Sequence, residues 1–141
     1  MFVSQLMTRN PVTVGLDETV AHIQQMFDTH GFHHLIVVED EQVVGIISDR
    51  DLLRALSPFI GRRDERTADA RLLQRHAHQI MTRSPVCATE RTTVQEAMAL
   101  ILAHRISALP VVDTQRRPLG IISWRDAVSW ALGRIAESHA A

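Results

Sequence analysis

One short polar motif, Ser-x-Arg-Asp, occurs twice in this chain of 141 residues, each time directly after the apolar sequence Gly-Ile-Ile. Its hydroxyl and guanidinium are donors that suit phosphate oxygens, and its carboxylate can accept two hydrogen bonds from a ribose diol. If the motif joins a strand to a helix, the free N–H groups of the helix N-terminus also attract phosphate. The two copies are Ser48, Arg50 and Asp51, and Ser123, Arg125 and Asp126.

The same residue types have a purely structural interpretation. Serine and aspartate are ordinary N-cap residues, and a strand-to-helix turn needs a cap whether or not it binds a ligand. For one copy this interpretation would be preferred. Two copies with identical spacing of serine, arginine and aspartate favour a ligand role.

The composition excludes several function classes. Apolar residues make up 45% and charged residues 22% of the chain, as in globular domains, and the net charge of −1 gives no basic footprint for nucleic acid. No segment has the length of an apolar membrane span, and the N-terminal residues do not resemble a signal peptide. A single cysteine favours a reducing compartment, so we expect a cytoplasmic protein that binds neither membrane nor nucleic acid. All fifteen cationic side chains are arginine, the residue suited to bidentate phosphate recognition.

The motif belongs to a longer internal repeat. Met-Thr-Arg-Asn-Pro-Val at 7–12 recurs as Met-Thr-Arg-Ser-Pro-Val at 81–86, an offset of 74. The Gly-Ile-Ile-Ser-x-Arg-Asp endings at 45–51 and 120–126 have an offset of 75, which one inserted residue in the preceding turn explains. The chain is therefore two copies of one unit.

Each copy predicts the element order β-α-β-β-α. Apolar residues at helical spacing predict a first helix, which Gly31 would end in the first copy and a Thr93–Glu96 capping box would begin in the second. Apolar runs at 35–38 and 109–112, and at 43–47 and 119–122, predict two buried strands. A last helix is expected to start near Asp51 and near Asp126.

The repeats define the domain organisation. We expect a first repeat at 1–56, a connector at 57–77 and a second repeat with a C-terminal helix at 78–141. The polar run at 61–66 predicts an exposed loop, and Ala68 to His78 predicts a helix with Leu72 and Leu73 on an apolar face. One copy is too small to bury a sufficient core alone, so the two are expected to pack as one pseudo-symmetric module.

Both copies resemble cystathionine-β-synthase (CBS) domains, and the chain resembles a stand-alone CBS pair, or Bateman module. The resemblance covers roughly 3–56 and 78–135 and rests on the Met-Thr-x-x-Pro-Val openings, the Ser-Ala-Leu-Pro-Val-Val-Asp run at 107–113 and the repeated endings. It implies an α+β fold and clefts that bind AMP, ADP or ATP, or another adenosyl ligand such as S-adenosylmethionine or NAD.

The resemblance also assigns roles to residues. It implies that Asp51 and Asp126 bind ribose hydroxyls, with the serine and arginine of each motif near ribose and phosphate. The cleft completed by Asp126 would be lined by Thr8, Val12, Thr13, Phe32 and His33. The cleft completed by Asp51 would be lined by Thr82, Val86, Cys87, Ile106 and Ser107.

His33 and His34 distinguish the copies, because the second copy has Ser107 and Ala108 there. The resemblance implies that a basic residue at this place reaches the ligand phosphates, and a histidine would weaken its grip as the pH rises. The alternative is a surface or packing pair. In either case the two clefts are predicted to differ.

The leading functional hypothesis is a regulatory, ligand-sensing homodimer that signals to an unknown effector protein. It would bind AMP, ADP or ATP, would need no cofactor or metal, and would not be an enzyme, because no nucleophile–base pair or ligand cluster occurs. The alternative is a non-catalytic dimerisation or interaction protein with empty clefts, or a module for another adenosyl ligand.

Overall fold

The structure, a computed structural model, describes residues 1–56 and 71–140. The chain forms two compact units. The split unit combines Met1–Pro11 with Pro85–Ala141, and the continuous unit is Val12–Ser84. Each unit is described by itself.

Strands and helices are numbered along the chain, and a short 3₁₀ helix at Val3–Gln5 precedes them. Residues 71–73 are also helical. The elements are β1 Thr8–Arg9, β2 Thr13–Gly15, α1 Val20–His30, β3 His34–Glu39, β4 Gln42–Ser48, α2 Asp49–Leu56, α3 Ala77–Ile80, β5 Thr82–Arg83, β6 Ala88–Thr89, α4 Val94–His104, β7 Ala108–Val112, β8 Pro118–Ser123 and α5 Trp124–Ala140.

The continuous unit is a four-stranded sheet in the order β2-β3-β4-β5. Strand β3 runs parallel to β2 and antiparallel to β4, and β5 is antiparallel to β4. The apolar face of α1 packs on this sheet through Val20, Ile23 and Phe27, which join Leu35 and Ile47 in one buried cluster. The helical spacing of these α1 residues in the sequence thus marks the face that the core covers.

The split unit repeats this arrangement in the order β1-β8-β7-β6. Strand β7 is parallel to β6 and antiparallel to β8, which also pairs with β1. Its core joins Ala97 and Ile101 of α4 to Leu109 and Ile122 of the sheet and to Val3 of the 3₁₀ helix. The predicted α+β class and the internal repeat are confirmed.

Each sheet takes one edge strand from the opening of the other repeat. Strand β5, from the second repeat, pairs with β4, while β1, from the first, pairs with β8. A Cβ on Gly45 would overlap the side chain of Met81, and one on Gly120 would overlap Met7. The methionine that opens one repeat therefore packs on the glycine that begins the ending of the other.

The helix ends follow the sequence signals. Thr93 and Glu96 form a capping box at the start of α4, and α1 ends at Gly31 with a φ of 69°. This left-handed conformation suits glycine because it has no Cβ. Helices α2 and α5 begin at Asp49 and Trp124, directly after the motif serines.

The connector differs in part from the prediction. The helix expected over Ala68 to His78 is not continuous: residues 71–73 are helical, a turn follows at Gln74, and α3 begins only at Ala77. The break lets the carbonyl of Arg75 accept a hydrogen bond from Val20 N–H at 2.8 Å. Leu72 is buried, as its predicted apolar face requires. The loop predicted at 61–66 lies outside the described residues.

Candidate functional site

The turn between β4 and α2 carries the motif of the continuous unit. The backbone N–H of Ser48 donates to Oδ2 of Asp51 at 2.8 Å, and the backbone N–H of Asp51 donates to Oγ of Ser48 at 3.1 Å. Ser48 is thus the N-cap of α2, and Asp51, three residues later, completes a reciprocal capping box. Both residues are half-buried.

The turn between β8 and α5 repeats this geometry in the split unit. The backbone N–H of Ser123 donates to Oδ2 of Asp126 at 2.8 Å, and the backbone N–H of Asp126 donates to Oγ of Ser123 at 3.4 Å. The Ser123 hydroxyl also donates to Asp126 Oδ2, at 3.1 Å. In both turns the capping bonds to the carboxylate use Oδ2, so the structural role of the motif accounts for one oxygen of each aspartate.

A second pair of residues lies behind each turn, and here the units differ. Asp49 N–H donates to the carbonyl of His33 at 3.0 Å, and Trp124 N–H donates to the carbonyl of Ser107 at 2.9 Å. The backbone is therefore held in the same way, but the side chains change. Nδ1 of His33 lies 2.9 Å from Oδ2 of Asp49, whereas Trp124 is exposed, with the Arg125 guanidinium 5.6 Å from its ring centroid.

The His33–Asp49 pair keeps an acidic group charged beside the turn. Burial raises the pKa of Asp49, but the hydrogen bonds from the His33 side chain and the Arg50 backbone lower it, and the net result lies below the ordinary value. Both side chains remain about half exposed. Because His33 Nδ1 is already hydrogen-bonded to Asp49, a phosphate approaching this imidazole meets the carboxylate as well.

His34 lies opposite Ser48 in the antiparallel register of β3 and β4, as Ala108 lies opposite Ser123. It is half-buried. The pairing of β3 with β4 thus places His33 and His34 beside the Ser48–Asp51 turn.

The remaining predicted residues of the continuous unit have mixed surroundings. Val12 and Thr13 are exposed at the start of β2, and Thr82 is exposed in β5 opposite Ile46. Phe32 packs edge-on against Phe27 with ring centroids 5.5 Å apart. This contact gives Phe32 a place at the core of its own unit.

In the split unit, Thr8 is exposed in β1, while Val86 and Ile106 are partly buried against the core. Cys87 is half-buried and its thiol donates to the carbonyl of Pro85 at 3.3 Å. Burial raises the pKa of Cys87 despite the nearby Arg116 guanidinium, so the thiol stays protonated at neutral pH. This environment fits a packed cysteine.

The predicted cleft groupings draw residues from both units. Thr8 and Asp126 belong to the split unit, whereas Val12, Thr13, Phe32 and His33 belong to the continuous unit. Likewise, Asp51 and Thr82 belong to the continuous unit and Val86, Cys87, Ile106 and Ser107 to the split unit. These groupings stay predictions, whereas the motif, His33 and His34 are brought together at one turn within their own unit.

Residues outside the repeated motif also lie beside Asp51. A cavity of about 230 Å³ in the continuous unit adjoins Asp51. Its lining comprises Asp51, Arg54, Ala55, Arg75, Gln79 and Ile80. Two features of the sequence mark residues of this lining. Arg54 follows Asp51 by three residues, a spacing that places both on one helix face, and Gln79 repeats Gln5 at the offset of 74.

Neither a metal centre nor a membrane span is found in the described part of the chain. No group of three or more His, Cys, Asp or Glu side chains within residues 1–56 and 71–140 is arranged to hold an ion. Over the same residues, no helix combines the length and the apolar character needed to cross a membrane.

The family model for the CBS domain matches this chain twice, over residues 3–58 and 77–133. The chain belongs to the CBS domain family. The two matches cover both repeats, including both Ser-x-Arg-Asp turns. The resemblance drawn from the repeated openings and endings is thereby confirmed.

Solved CBS pairs share the fold. The CBS domain pair of protein MJ0100, in complex with 5′-methylthioadenosine and S-adenosyl-L-methionine, has a TM-score of 0.80 and 24% identity, covering 95% of this chain and 98% of that chain. CBSX2 of Arabidopsis thaliana, in complex with AMP, has a TM-score of 0.77 and 25% identity, covering 94% of this chain and 96% of that chain.

Curated relatives include both small and large proteins. A CBS domain-containing protein of Dictyostelium discoideum is 32% identical over 128 residues, which cover 89% of this chain and 88% of the relative. An inosine-5′-monophosphate dehydrogenase of Methanocaldococcus jannaschii is 32% identical over 123 residues, covering 86% of this chain. The chain spans only 22% of that enzyme's length, and 22% of a homoserine O-acetyltransferase of Methanosarcina acetivorans that is 30% identical over 135 residues and 95% of this chain.

Proposed function

We propose that this CBS pair is a regulatory module that binds an adenine nucleotide, AMP, ADP or ATP, at its two Ser-x-Arg-Asp turns. Nucleotide binding would favour one of two arrangements of the module, and an effector protein would respond to the difference. Such a response requires the ligand to bind the two arrangements with different affinity. The module itself would be non-catalytic.

The observation that carries the proposal is the recurrence of one turn with the same hydrogen bonds in both units. Both reciprocal capping bonds of Ser48 and Asp51 recur between Ser123 and Asp126, with serine N–H to carboxylate distances of 2.8 Å in each turn. A cap alone would not need the arginine between them, yet Arg50 and Arg125 are present at the same place and are exposed. The AMP bound by CBSX2, at 25% identity, supports an adenosyl ligand.

The proposed role of each motif residue follows from the side-chain atoms that the capping bonds do not use. Within the described residues the capping bonds use Oδ2 of each aspartate, so Oδ1 is the oxygen proposed to accept from the ribose hydroxyls. The exposed arginine and the first N–H groups of the helix are proposed to bind the nearest phosphate. The adenine would be held by apolar contacts and backbone hydrogen bonds, as is usual in small-molecule sites.

The test must separate the capping role of each aspartate from its proposed contact with the ligand. A third capping box in the chain shows which substitution can do this. In the Thr93–Glu96 capping box a glutamate does the work of the aspartates, with Thr93 N–H donating to its Oε2 at 2.8 Å. Asp51→Glu and Asp126→Glu should therefore keep the caps and the melting temperature, while moving the carboxylate away from the ribose. Isothermal titration with AMP, ADP and ATP should show at least about a tenfold loss of affinity at each altered turn, the effect of losing a hydrogen bond to a charged group.

The matched control is the Thr93–Glu96 capping box, for which no ligand is proposed. Glu96→Asp should leave nucleotide affinity unchanged. If the parent protein binds no nucleotide, or if both Asp→Glu variants bind as tightly as the parent, the proposal is wrong.

A second candidate function is an interaction module without a ligand, and the surface of α5 favours it. Four large apolar side chains at spacings of four, four and three residues lie exposed along one face of this helix. They are Trp124, Val128, Leu132 and Ile135. We propose that this face forms a homodimer. Titrations that show no heat with any nucleotide would leave this contact as the function of the module.

A further inference from the structure

The cavity beside Asp51 carries two guanidinium groups. Arg54 lies on the same face of α2 as Asp51, and Arg75 reaches the cavity from the segment before α3. A guanidinium has five N–H donors, and the bond from Arg75 to the carbonyl of Gln79, at 3.3 Å, uses one of them. The Asp51 carboxylate lines the same cavity and accepts the N–H of Ser48 at 2.8 Å.

The split unit has a cavity whose lining includes the equivalents of Arg54, Ala55 and Arg75 but not Asp126, and its chemistry is different. It measures about 300 Å³, and Met1, Ser129 and Trp130 form part of its lining. The offset of 74 relates Arg75 to Met1, and the offset of 75 relates Arg54 to Ser129. Methionine and serine therefore occupy, in the split unit, the positions that the two arginines occupy in the continuous unit. Arg134 and Glu137 contribute one positive and one negative charge to the split unit's cavity.

The dimensions suit an anionic group. A water molecule takes up about 30 Å³ of liquid, so 230 Å³ has room for a phosphate group with its waters. The cavity also adjoins Asp51, the residue proposed to hold the ribose, so a chain of phosphates leaving that ribose can extend towards Arg54 and Arg75.

We propose that this cavity binds the distal phosphate of a nucleoside di- or triphosphate whose ribose lies at Asp51. The inference rests on the proposed function and deepens it, because it assigns a ligand class to one unit. The continuous unit would prefer ADP and ATP to AMP, and would disfavour the cationic sulfonium of S-adenosylmethionine. The split unit, which lacks both arginines, would not make this distinction.

The test gives each arginine the residue that the other unit carries. Arg75→Met and Arg54→Ser are made in an Asp126→Glu background, so that the continuous unit is measured, and each is titrated with AMP, ADP and ATP. We expect affinity for ADP and ATP to fall at least about tenfold, the effect of losing a charge-assisted phosphate contact, and affinity for AMP to stay within about threefold. Arg71→Ser, an exposed arginine of the same unit, should change none of the three.

The outcomes separate this inference from the function on which it rests. A parent protein that binds no nucleotide overturns the proposed function, and this inference with it. A parent that binds nucleotides, combined with variants that lose AMP, ADP and ATP equally or lose none of them, overturns the phosphate assignment and leaves the proposed function standing.

Discussion

At the scale of single residues, the largest difference between the turns lies at the first residue of each helix. Asp49 pairs with His33 in the continuous unit, and Trp124 stands at the same place in the split unit with an arginine over its ring. One turn therefore presents a carboxylate and an imidazole, the other an aromatic face and a cation. Because of this difference, a substitution at Asp49 or Trp124 changes the chemistry of one turn without a counterpart in the other.

The pH dependence of the Asp49 pair has a definite sign. Because the folded protein holds the pKa of Asp49 below the ordinary value of 3.8, its contribution to stability is present above that value and is lost as the pH falls through the folded pKa. We expect Asp49→Asn to lower the melting temperature at pH 7 slightly, since the pair is half exposed, and the difference from the parent to shrink as the pH falls through the folded pKa of Asp49.

Thermal melts between pH 3 and 7 measure this effect. Asp28→Asn, which removes an exposed carboxylate of α1, is the control and should leave the melting temperature unchanged at every pH. A constant difference between Asp49→Asn and the parent across the whole range would contradict the assignment.

At the scale of elements, the exchanged edge strands depend on close contact between glycine and methionine. The three atoms nearest to a Cβ on Gly45 would all belong to the side chain of Met81, whereas one of the three nearest to a Cβ on Gly120, at 2.8 Å, would be the carbonyl oxygen of Thr8. A side chain can turn aside, but the backbone of a paired strand cannot.

We therefore expect Gly120→Ala to destabilise the protein more than Gly45→Ala, with an overpacking cost of about 1–3 kcal/mol. Combining Gly45→Ala with Met81→Ala should recover part of the loss, because the shorter side chain vacates the space. Combining Gly120→Ala with Met7→Ala should recover less. Urea unfolding of the four variants tests this order, and equal recovery in both pairs would refute it.

The elements also show where sequence reasoning succeeds. Strands β3, β4, β7 and β8 were predictable because each is a compact apolar run, and Thr93, Glu96 and Gly31 marked helix ends through local chemistry. Strands β1 and β5 have only two residues each, too short for any periodicity, so their pairing with the other repeat's sheet could not be read from the pattern. Arg75 escaped selection for a related reason: it reaches the Asp51 cavity through the fold, far from the motif in sequence.

The motif turn lies between these cases. Sequence alone identified Ser48 and Asp51 but left the cap and the ligand role as alternatives. The structure shows that the cap is present and assigns it to one carboxylate oxygen. A residue can hold both roles, which is why residue type and spacing did not separate them.

At the scale of the whole molecule, the α5 face governs the proposed assembly. Leu132, 61% exposed, lies within the apolar stripe, and a charge there would have to be buried in a dimer. We expect Leu132→Glu to convert the protein from dimer to monomer in sedimentation velocity at micromolar concentrations. Leu102→Glu on α4, where the leucine is 78% exposed outside the stripe, should remain dimeric; a monomeric parent, or a dimeric Leu132→Glu variant, would contradict the assembly.

The division into a split and a continuous unit determines the order in which the two sheets can be completed during synthesis. Val12–Ser84 leaves the ribosome as one uninterrupted segment and carries all four strands of its own sheet. Strand β1 is synthesised before the continuous unit, whereas its partner β8 is synthesised after it. The residues of β1 must therefore remain without their sheet partner until β8 has been made, so the split unit can complete its sheet only after all the strands of the continuous unit have been synthesised.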